Sequence, residues 1–308
     1  MNNKFIVILN PNAGNRQCGR LKKQIINLLN NRKVNYIYNE TKFPVHGTLI
    51  SQKYASNNFR KFIVVGGDGT LNEVVNGIFL DTSVDTKNIY IGMIPIGNGN
   101  DWAKSLKIPS DLEEAIDIII REYSIKQDVG RIDFLTDEYI KMKYFMNIAG
   151  IGFDAEVADK ANMDKELGKN GKFTYLKNLL KSFLTYKSVD TKISIQHKEF
   201  DVNLFSIAVG KGKYNGGGMM QLPNAIIDDG YLDVTIMNNI TKLDVIRNLK
   251  KIYVGKHISD PKIKTFKTKY ISIYPQKRLK IEFDGEVYGN TPVTITLIPK
   301  SINVYVKK

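Results

Sequence analysis

The chain has 308 residues, of which 43% are hydrophobic and 25% charged, and these ordinary values predict a folded globular protein of about two domains. A single cysteine, Cys18, excludes an internal disulfide framework, and the three histidines lack zinc-ligand spacing, so we expect a reducing, cytoplasmic compartment. No apolar run approaches the ~18 residues of a membrane-spanning helix. The net charge of +14 favours an anionic partner.

The first part of the chain alternates strand and helix patterns, which predicts an α/β domain with a mostly parallel sheet. Continuous apolar runs predict its strands, and a periodicity of 3.6 residues predicts its helices. The predicted strands are KFIVILN, VNYIYNE, FIVVGG and IYIGMIP, and the predicted helices are GRLKKQIINLLNNR, TLNEVVNGIF and DLEEAIDIII. Ligands of such sheets bind outside the carboxyl ends of the strands.

Alternating apolar and polar residues dominate the rest of the chain, in segments such as NLFSIAVG, YLDVTIM and VTITLI. This period of two residues predicts an antiparallel β-sandwich. We therefore place an α/β domain at residues 1–125 and a β-sandwich domain at residues 126–308, with the last strands able to pack back on the first domain.

Two basic helices are predicted within the second domain, one at 173–187 and one in the segment TKLDVIRNLKKIYVG. The first carries an apolar stripe at helical spacing, formed by Leu176, Leu179, Leu180, Phe183 and Leu184. This stripe either packs on the sandwich, which is the interpretation we favour, or docks the protein on an anionic membrane. Residues 241–280 contain twelve Lys and Arg against two Asp, so a net charge of +10 is concentrated there.

Three turns rich in glycine and asparagine follow three predicted strands, at 10–14, 66–69 and 97–101. Each alone could be a tight turn, but together they would crowd one edge of the sheet. Glycine turns let backbone amides approach an anion, and Thr70 with Glu73 predicts a capping box for a helix that begins beside the second turn. The glycine patterns of a P-loop and of a dinucleotide-binding fingerprint are both incomplete.

Carboxylates mark the same edge and two later turns. Asp68 and Asp101 lie in or beside the glycine turns, where they could meet Mg²⁺ and nucleotide phosphates or simply stabilise a turn. In FDGE, Asp284 and Glu286 flank Gly285, which predicts either a hairpin tip or a pair that accepts a proton. The segment NAIIDDGYLDV predicts either a turn or an oxygen-rich cation site.

These motifs, in this order, resemble the diacylglycerol kinase catalytic-domain family, in particular its bacterial soluble lipid kinases. The matching segments are NPNAG, GGDGTLNEVVNG, PIGNGNDWAKSL, GGGM, PNAIIDDGYLDV and FDGE, and together they span essentially the whole chain. The GGDGT loop type is shared with NAD kinases and phosphofructokinase-like enzymes, so the later segments make the resemblance specific.

The resemblance implies an ATP site built on the three glycine turns. Its nucleotide-contacting positions correspond here to Asn10, Thr41, Gly66, Gly67, Asp68, Gly69, Thr70, Leu71, Asn72, Asn98 and Asp101. Asn98 stands where the family usually has Thr, and an amide could supply a similar hydrogen bond to phosphate.

The resemblance also implies catalytic carboxylates and a structural magnesium ion. Glu286, with Asp284 beside it, corresponds to the carboxylates that accept the proton of the substrate hydroxyl. The structural Mg²⁺ would be held by the side chain of Asp229 and by the backbone oxygens of Ile226 and Tyr231. Asp68, which also counts as catalytic, would lie near the catalytic magnesium and the phosphates.

We therefore expect an ATP- and Mg²⁺-dependent kinase that phosphorylates a hydroxyl of a membrane lipid, with diacylglycerol or a related lipid as the leading candidate. We expect it to be cytoplasmic and peripherally bound to anionic membrane. The alternatives are an NAD kinase-like soluble kinase and a catalytically silent protein that binds lipid or nucleic acid. No nucleic-acid-binding module is recognisable, so we expect no specific nucleic-acid partner, and the sequence leaves a homodimer open.

Overall fold

The computed structural model of the chain describes residues 2–137, 139–166, 182–183 and 185–308. Two compact units are present, one formed by Met1–Val129 with Ile298–Lys308 and the other by Gly130–Leu297. The predicted order of an α/β part and then a β-rich part is confirmed. Most of the helix predicted at 173–187 lies outside the described residues. Within the described ranges, no helix has the length and apolar character needed to cross a bilayer.

The first unit alternates strands with helices. Its strands are β1 (Asn2–Leu9), β2 (Tyr36–Glu40), β3 (Phe59–Gly66) and β4 (Tyr90–Pro95). Its helices are α1 (Gln17–Asn31), α2 (His46–Ser56), α3 (Asp68–Leu80), α4 (Asp101–Ser105) and α5 (Leu112–Ile120), and Thr86–Asn88 forms a 3₁₀ turn. β1 pairs in parallel with β2 and β3, and β3 pairs in parallel with β4.

Continuous apolar runs form these strands because both of their faces are covered. The side chains of residues 6–9 in β1 and 62–65 in β3 are all 0% exposed. Strands buried on both faces lack the alternation seen in half-exposed strands. The strands therefore place their carboxyl ends, and the turns that follow, in fixed positions along one edge.

The second unit is built mainly of antiparallel strands. Its strands are β5 (Ser124–Leu135), β6 (Ile140–Phe145), β7 (Ile148–Gly152), β8 (Val189–Ile195), β9 (Lys198–Gly210), β10 (Leu232–Asn238), β11 (Ile263–Thr268), β12 (Tyr270–Pro275), β13 (Lys280–Phe283) and β14 (Glu286–Tyr305), of which β5 and β14 also extend into the first unit. The helices are α6 (Phe153–Glu166) and α7 (Lys242–Ile252), and Lys256–Ser259 forms a 3₁₀ turn. β9 pairs antiparallel with β7, β8 and β10, and β13 pairs antiparallel with β7 and β14.

The capping box predicted for α3 is wrong. The helix begins at Asp68, and Thr70 lies inside its first turn, where its Oγ1 accepts from the Asn10 side chain at 3.1 Å. The Glu73 carboxylate instead accepts from the amides of Val45 and Gly47, at 2.9 and 2.8 Å, at the start of α2. A carboxylate at that position satisfies helix amides that have no intrahelical partner. Glu73 therefore caps a neighbouring helix rather than its own.

Candidate active site

The three glycine-rich turns of the first unit are joined by hydrogen bonds at the ends of neighbouring strands. The Asn10 amide donates to the Val65 carbonyl at 3.0 Å, which ties the first turn to the end of β3. The Ile96 amide donates to the Gly66 carbonyl at 2.8 Å, which ties the third turn to the second. Because β1, β3 and β4 are neighbours and run in the same direction, turns far apart in sequence come together at one edge.

Two glycines allow the backbones of the second and third turns to approach closely. A Cβ atom on Gly97 would lie 2.7 Å from the Cα of Gly67, a distance that real side chains do not adopt. A side chain at Gly97 would therefore force the turns apart. The close approach also brings the N-terminus of α3, with its positive dipole end, beside the third turn.

Two carboxylates converge at this point, although they lie 33 residues apart. A Cβ atom placed on Gly99 would lie 3.2 Å from Oδ2 of Asp68 and 3.4 Å from Oδ2 of Asp101, so both oxygens face the same small volume. Asp101 is only 4% exposed, and its Oδ1 accepts from Lys104 Nζ at 3.1 Å. Paired carboxylate oxygens beside glycine suit a hard divalent cation.

Asp68 also has a structural role that sequence reasoning missed. Its Oδ2 and Oδ1 accept from the backbone amides of Asp101 and Trp102, each at 3.1 Å. These amides open α4, so Asp68 stabilises the start of that helix in the manner of a capping residue. Asp68 is half-buried rather than a freely exposed loop carboxylate.

Some of the other predicted nucleotide-contacting residues lie at the glycine-rich turns, and others are buried within helix α3. Thr41 is 7% exposed and its amide donates to the Leu9 carbonyl at 2.9 Å, which places it beside the first turn, whereas Asn98 is exposed. Leu71 and Asn72, both 1% exposed, are buried within α3. Asn100, which sequence reasoning did not single out, has a buried Oδ1 without a hydrogen-bond partner among the described residues. The turns thus carry an unmet hydrogen-bond acceptor where a ligand is expected.

In the second unit, FDGE forms the tip of a hairpin. Phe283 pairs with Glu286 across a two-residue turn, in which Asp284 and Gly285 have φ values of 51° and 85°. Positive φ at both positions is typical of tight hairpins, and glycine adopts it without strain. The hairpin alternative is therefore confirmed as the local structure.

The two FDGE carboxylates have different surroundings. Asp284 is 3% exposed, and its two oxygens accept from the amides of Met146 and Asn147 at 3.1 and 3.0 Å. Glu286 is exposed to solvent. Asp284 thus fixes the hairpin tip against the start of β7, and Glu286 is the carboxylate presented at the surface.

A buried acid next to this tip escaped sequence reasoning. Glu282 is 2% exposed, and it accepts from the Asn215 side chain at 2.6 Å and from the Gly285 amide at 3.3 Å. Burial raises the pKa of Glu282 to about 8, and burial also raises the pKa of nearby Asp154 to about 6. Glu282 lies between two apolar residues of a short strand, a pattern that predicts an outward-facing side chain, so no local pattern indicates its burial.

The residues implied to hold a structural magnesium ion do not fit that ion. The ammonium group of Lys211, itself 2% exposed, lies 2.6 Å from Oδ1 of Asp229 and also donates to the Tyr231 carbonyl. Lys267 donates to the other oxygen of Asp229. Burial opposes ionisation of Asp229, yet these bonds hold its pKa below the usual range. Ile226, the third implied ligand, is 49% exposed.

A positive charge therefore already neutralises the oxygens that a structural cation would use. Across the part of the chain that the structure describes, no group of three or more His, Cys, Asp or Glu side chains is arranged to hold a metal. The Asp229 carboxylate and the Tyr231 carbonyl of the expected site accordingly bind an ammonium group in this chain, and a structural magnesium ion at Ile226, Asp229 and Tyr231 stays a prediction.

Comparison with solved structures first shows which type of fold this chain has. The yeast NADH kinase, whose crystal structure contains NADH, covers 99% of this chain with a TM-score of 0.55 and 10% sequence identity. At that identity the likeness concerns the fold alone. The chain thus has the two-part organisation of NAD kinase-type proteins, an α/β unit followed by a β-rich unit.

Comparison of sequences then gives the family. Residues 4–132 match the diacylglycerol kinase catalytic domain, and residues 147–306 match the YegS C-terminal NAD kinase beta sandwich-like domain. The diacylglycerol kinase of Staphylococcus aureus (strain MRSA252) is 30% identical over 99% of this chain and 93% of its own length. The chain therefore belongs to the diacylglycerol kinase catalytic-domain family and is a lipid kinase-like phosphotransferase.

Two further relatives agree with this assignment. The diacylglycerol kinase of Staphylococcus carnosus (strain TM300) is 28% identical over 100% of this chain and 96% of its own length. A crystal structure of a diacylglycerol kinase from Bacillus anthracis str. Sterne has a TM-score of 0.77 and 26% identity, and the match covers 99% of this chain and 97% of that one. The resemblance recognised in the sequence is confirmed.

Proposed function

We propose that the protein transfers the γ-phosphate of ATP to a hydroxyl of a membrane lipid in a Mg²⁺-dependent reaction, with diacylglycerol as the leading candidate acceptor. The observation that carries this proposal is the convergence of three glycine-rich turns with the carboxylates of Asp68 and Asp101 at one sheet edge. Family membership supports the same chemistry. Phosphoryl transfer needs positioning and charge neutralisation more than covalent chemistry from the protein, and a nucleotide and Mg²⁺ held at this edge would meet both needs.

The nucleotide would bind along the turns of the first unit. Gly67 and Gly69, which are both half-buried, would let phosphate oxygens approach the backbone, and the N-terminus of α3 would add favourable electrostatics. The buried Oδ1 of Asn100 would accept a hydrogen bond from the ligand or its water. Asn10 and Thr41, which follow the ends of β1 and β2, would line one side of the nucleotide site. A cleft lined by Lys42, His46 and Tyr54 lies next to Thr41.

Asp68 and Asp101 would hold the magnesium ion. When bound there, Mg²⁺ neutralises charge on the transferring phosphoryl group. Asp68 already accepts two backbone amides, so its orientation is fixed before any ligand arrives. Such preorganisation reduces the rearrangement that binding would otherwise require.

Glu286 would accept the proton of the lipid hydroxyl. The hydroxyl oxygen forms a bond to the γ-phosphorus, the bond from that phosphorus to the β–γ bridging oxygen breaks, and ADP departs. The proton of the hydroxyl passes to the Glu286 carboxylate, which is exposed and therefore accessible. Asp284 would act as a positioning residue, because its oxygens are engaged by two backbone amides.

A phosphate-transfer assay tests the proposal. Labelled ATP and Mg²⁺ are offered with diacylglycerol in mixed micelles, with NAD, or with buffer alone, and the products are identified by mass. We expect a phosphorylated lipid only in the first arm, and a panel of other lipid alcohols would then rank acceptors. Phosphorylated NAD would show an NAD kinase activity instead, and the absence of any phosphorylated product would indicate a catalytically silent protein.

A further inference from the structure

Helix α7 of the second unit buries polar side chains and exposes apolar ones. Asp244 and Asn248 are each 8% exposed, whereas Leu243 and Ile246 are 54% and 63% exposed. Amphipathic helices of globular proteins normally show the reverse, because removing apolar surface from water is what stabilises their packing. An inverted helix of this kind needs another explanation.

Polar contacts hold α7 in this orientation. Thr241 and Asp244 form a capping box at its N-terminus, and the Asp244 carboxylate accepts from Lys262 Nζ at 2.6 Å. The Asn248 side chain donates to Asp260 at 2.8 Å. Val245 adds an apolar contact, since it packs against the cluster around Phe153 and Phe205. The inner face is therefore anchored without any contribution from the exposed apolar residues.

The exposed apolar surface extends beyond the helix and is accompanied by positive charge. Its members are Leu243, Ile246, Leu249, Tyr253 and Val254, with exposures between 41% and 63%, and we call them the α7 stripe. Residues 242–256 carry five Lys and Arg and a single acid, Asp244, which is the acid paired with Lys262. Arg247, Lys250 and Lys251 are all exposed. Apolar side chains flanked by exposed cations match the interface of an anionic bilayer.

We propose that the α7 stripe is the surface through which this protein docks on an anionic lipid bilayer. The choice of a bilayer rests on the proposed lipid-kinase function and on the complementary charge. The membrane contact is thereby assigned to a different helix from the one considered in the sequence. The helix predicted at 173–187 lies mostly outside the described residues, and its described residue Phe183 is 9% exposed and packs with Phe153.

Vesicle co-sedimentation without ATP tests docking separately from catalysis. The full chain is mixed with vesicles of phosphatidylcholine containing increasing fractions of phosphatidylglycerol, at low and high salt. Wild-type binding should rise with the anionic fraction and fall with salt. The double variant Leu243→Gln, Ile246→Gln should lower the partition coefficient by roughly tenfold or more, because two apolar side chains no longer enter the interface.

A matched control is Leu80→Gln at the end of α3, where the leucine is 47% exposed but lies in the first unit. This variant should bind vesicles like the wild type. All variants should keep the wild-type melting temperature, because the changed side chains face solvent.

Wild-type vesicle binding by the Leu243→Gln, Ile246→Gln variant would overturn the docking proposal. The proposal would also be overturned if sedimentation velocity showed a dimeric wild type and a monomeric double variant, while the variant still bound vesicles. The α7 stripe would then be an interface between copies of the chain. Phosphate transfer to a monomeric short-chain diacylglycerol separates the two proposals. A variant that loses vesicle binding but keeps this transfer supports docking, whereas a wild type that docks without any transfer counts only against the kinase function.

Discussion

The carboxylates of the two units are used differently. In the first unit, Asp68 and Asp101 come from separate turns, yet their Oδ2 atoms face the same volume beside Gly99. In the second unit, Asp284 and Glu286 are near neighbours in sequence, yet one is buried against backbone amides and the other is exposed. The separation of two carboxylates along the chain therefore does not predict whether they face the same volume.

The difference follows from the strands that carry the side chains. Parallel neighbours end at the same edge, so distant turns meet there, whereas a tight hairpin reverses the chain between adjacent residues. Two other acids of the second unit have partners of their own: Asp229 pairs with the Lys211 ammonium, and Glu282 accepts from the Asn215 side chain. In the first unit, by contrast, the fold directs two carboxylates at one volume.

The largest expected effect is at Glu286. If it accepts the substrate proton, Glu286→Gln should preserve the fold and ATP binding but lower turnover by about 100- to 10,000-fold, the usual range for loss of a general base. Turnover at saturating ATP and lipid is the measurement. Wild-type turnover in this variant would show that another group accepts the proton.

Asp284→Asn is the matched comparison for Glu286. Because the Asp284 oxygens accept two amides, this change should lower the free energy of unfolding by about 1–3 kcal/mol and leave turnover much less affected than Glu286→Gln does. Urea unfolding and steady-state kinetics separate the two effects. Equal losses of turnover in both variants would indicate that the two carboxylates act on the substrate together.

The next largest effect is expected at Lys211. Lys211→Met removes a buried ammonium from Asp229 and should lower the free energy of unfolding by as much as about 3–5 kcal/mol, the cost typical of breaking a buried ion pair. Lys192→Met is the control, because this lysine and its partner Glu199 have side chains that are 54% and 62% exposed, and the loss of this ion pair should cost only ~0–1 kcal/mol.

Magnesium removal examines the same site in the variant Asp101→Asn, which disables the other carboxylate pair. In the absence of nucleotide, its melting temperature should be the same in EDTA and in Mg²⁺, because an ammonium already neutralises Asp229. Lys211→Ala, which leaves space beside that carboxylate, should acquire a Mg²⁺-dependent rise. A wild-type rise that persists when Asp101→Asn disables the other carboxylate pair would restore the structural magnesium site.

A smaller effect on turnover is expected at Asp68. Asp68→Ala should lower turnover by ~100-fold or more through loss of electrostatic organisation. It should also destabilise the fold by ~1 kcal/mol, because α4 loses its side-chain cap. If Asp68 and Asp101 act as a unit, the double change with Asp101→Asn should cost less in transition-state free energy than the sum of the single changes. Strict additivity would show that the two carboxylates work independently.

A pH dependence of stability is expected at Glu282. Its folded-state pKa of about 8 exceeds the ordinary value near 4.5, so between these values the folded protein holds a proton that the unfolded chain has lost. Stability from this group is present at low pH and declines as pH rises through that window, by of order 1 kcal/mol per pH unit. Glu282→Gln should flatten this decline in urea unfolding, with the smaller contribution of Asp154 remaining. An unchanged slope would place the titration elsewhere.

The sequence by itself determined the order of elements and the location of the glycine-rich turns. Apolar runs such as residues 62–65 predict buried strands, because continuous burial requires continuous apolar side chains. Glycine clusters after such strands predict turns, because glycine tolerates close backbone approach. These signals are local, so each can be read without knowing which elements become neighbours.

Only the tertiary structure decided which partner each polar side chain has. Glu73 has the local pattern of its own helix cap, but it caps α2, because α2 lies beside α3 and presents unpaired amides to it. Lys211 has no local mark of an ion-pair site, and the outward-facing α7 stripe looks in sequence like a helix face for packing. Hydrogen bonds and ion pairs depend on the positions of groups distant in the chain, and those positions exist only once the strands and helices have packed.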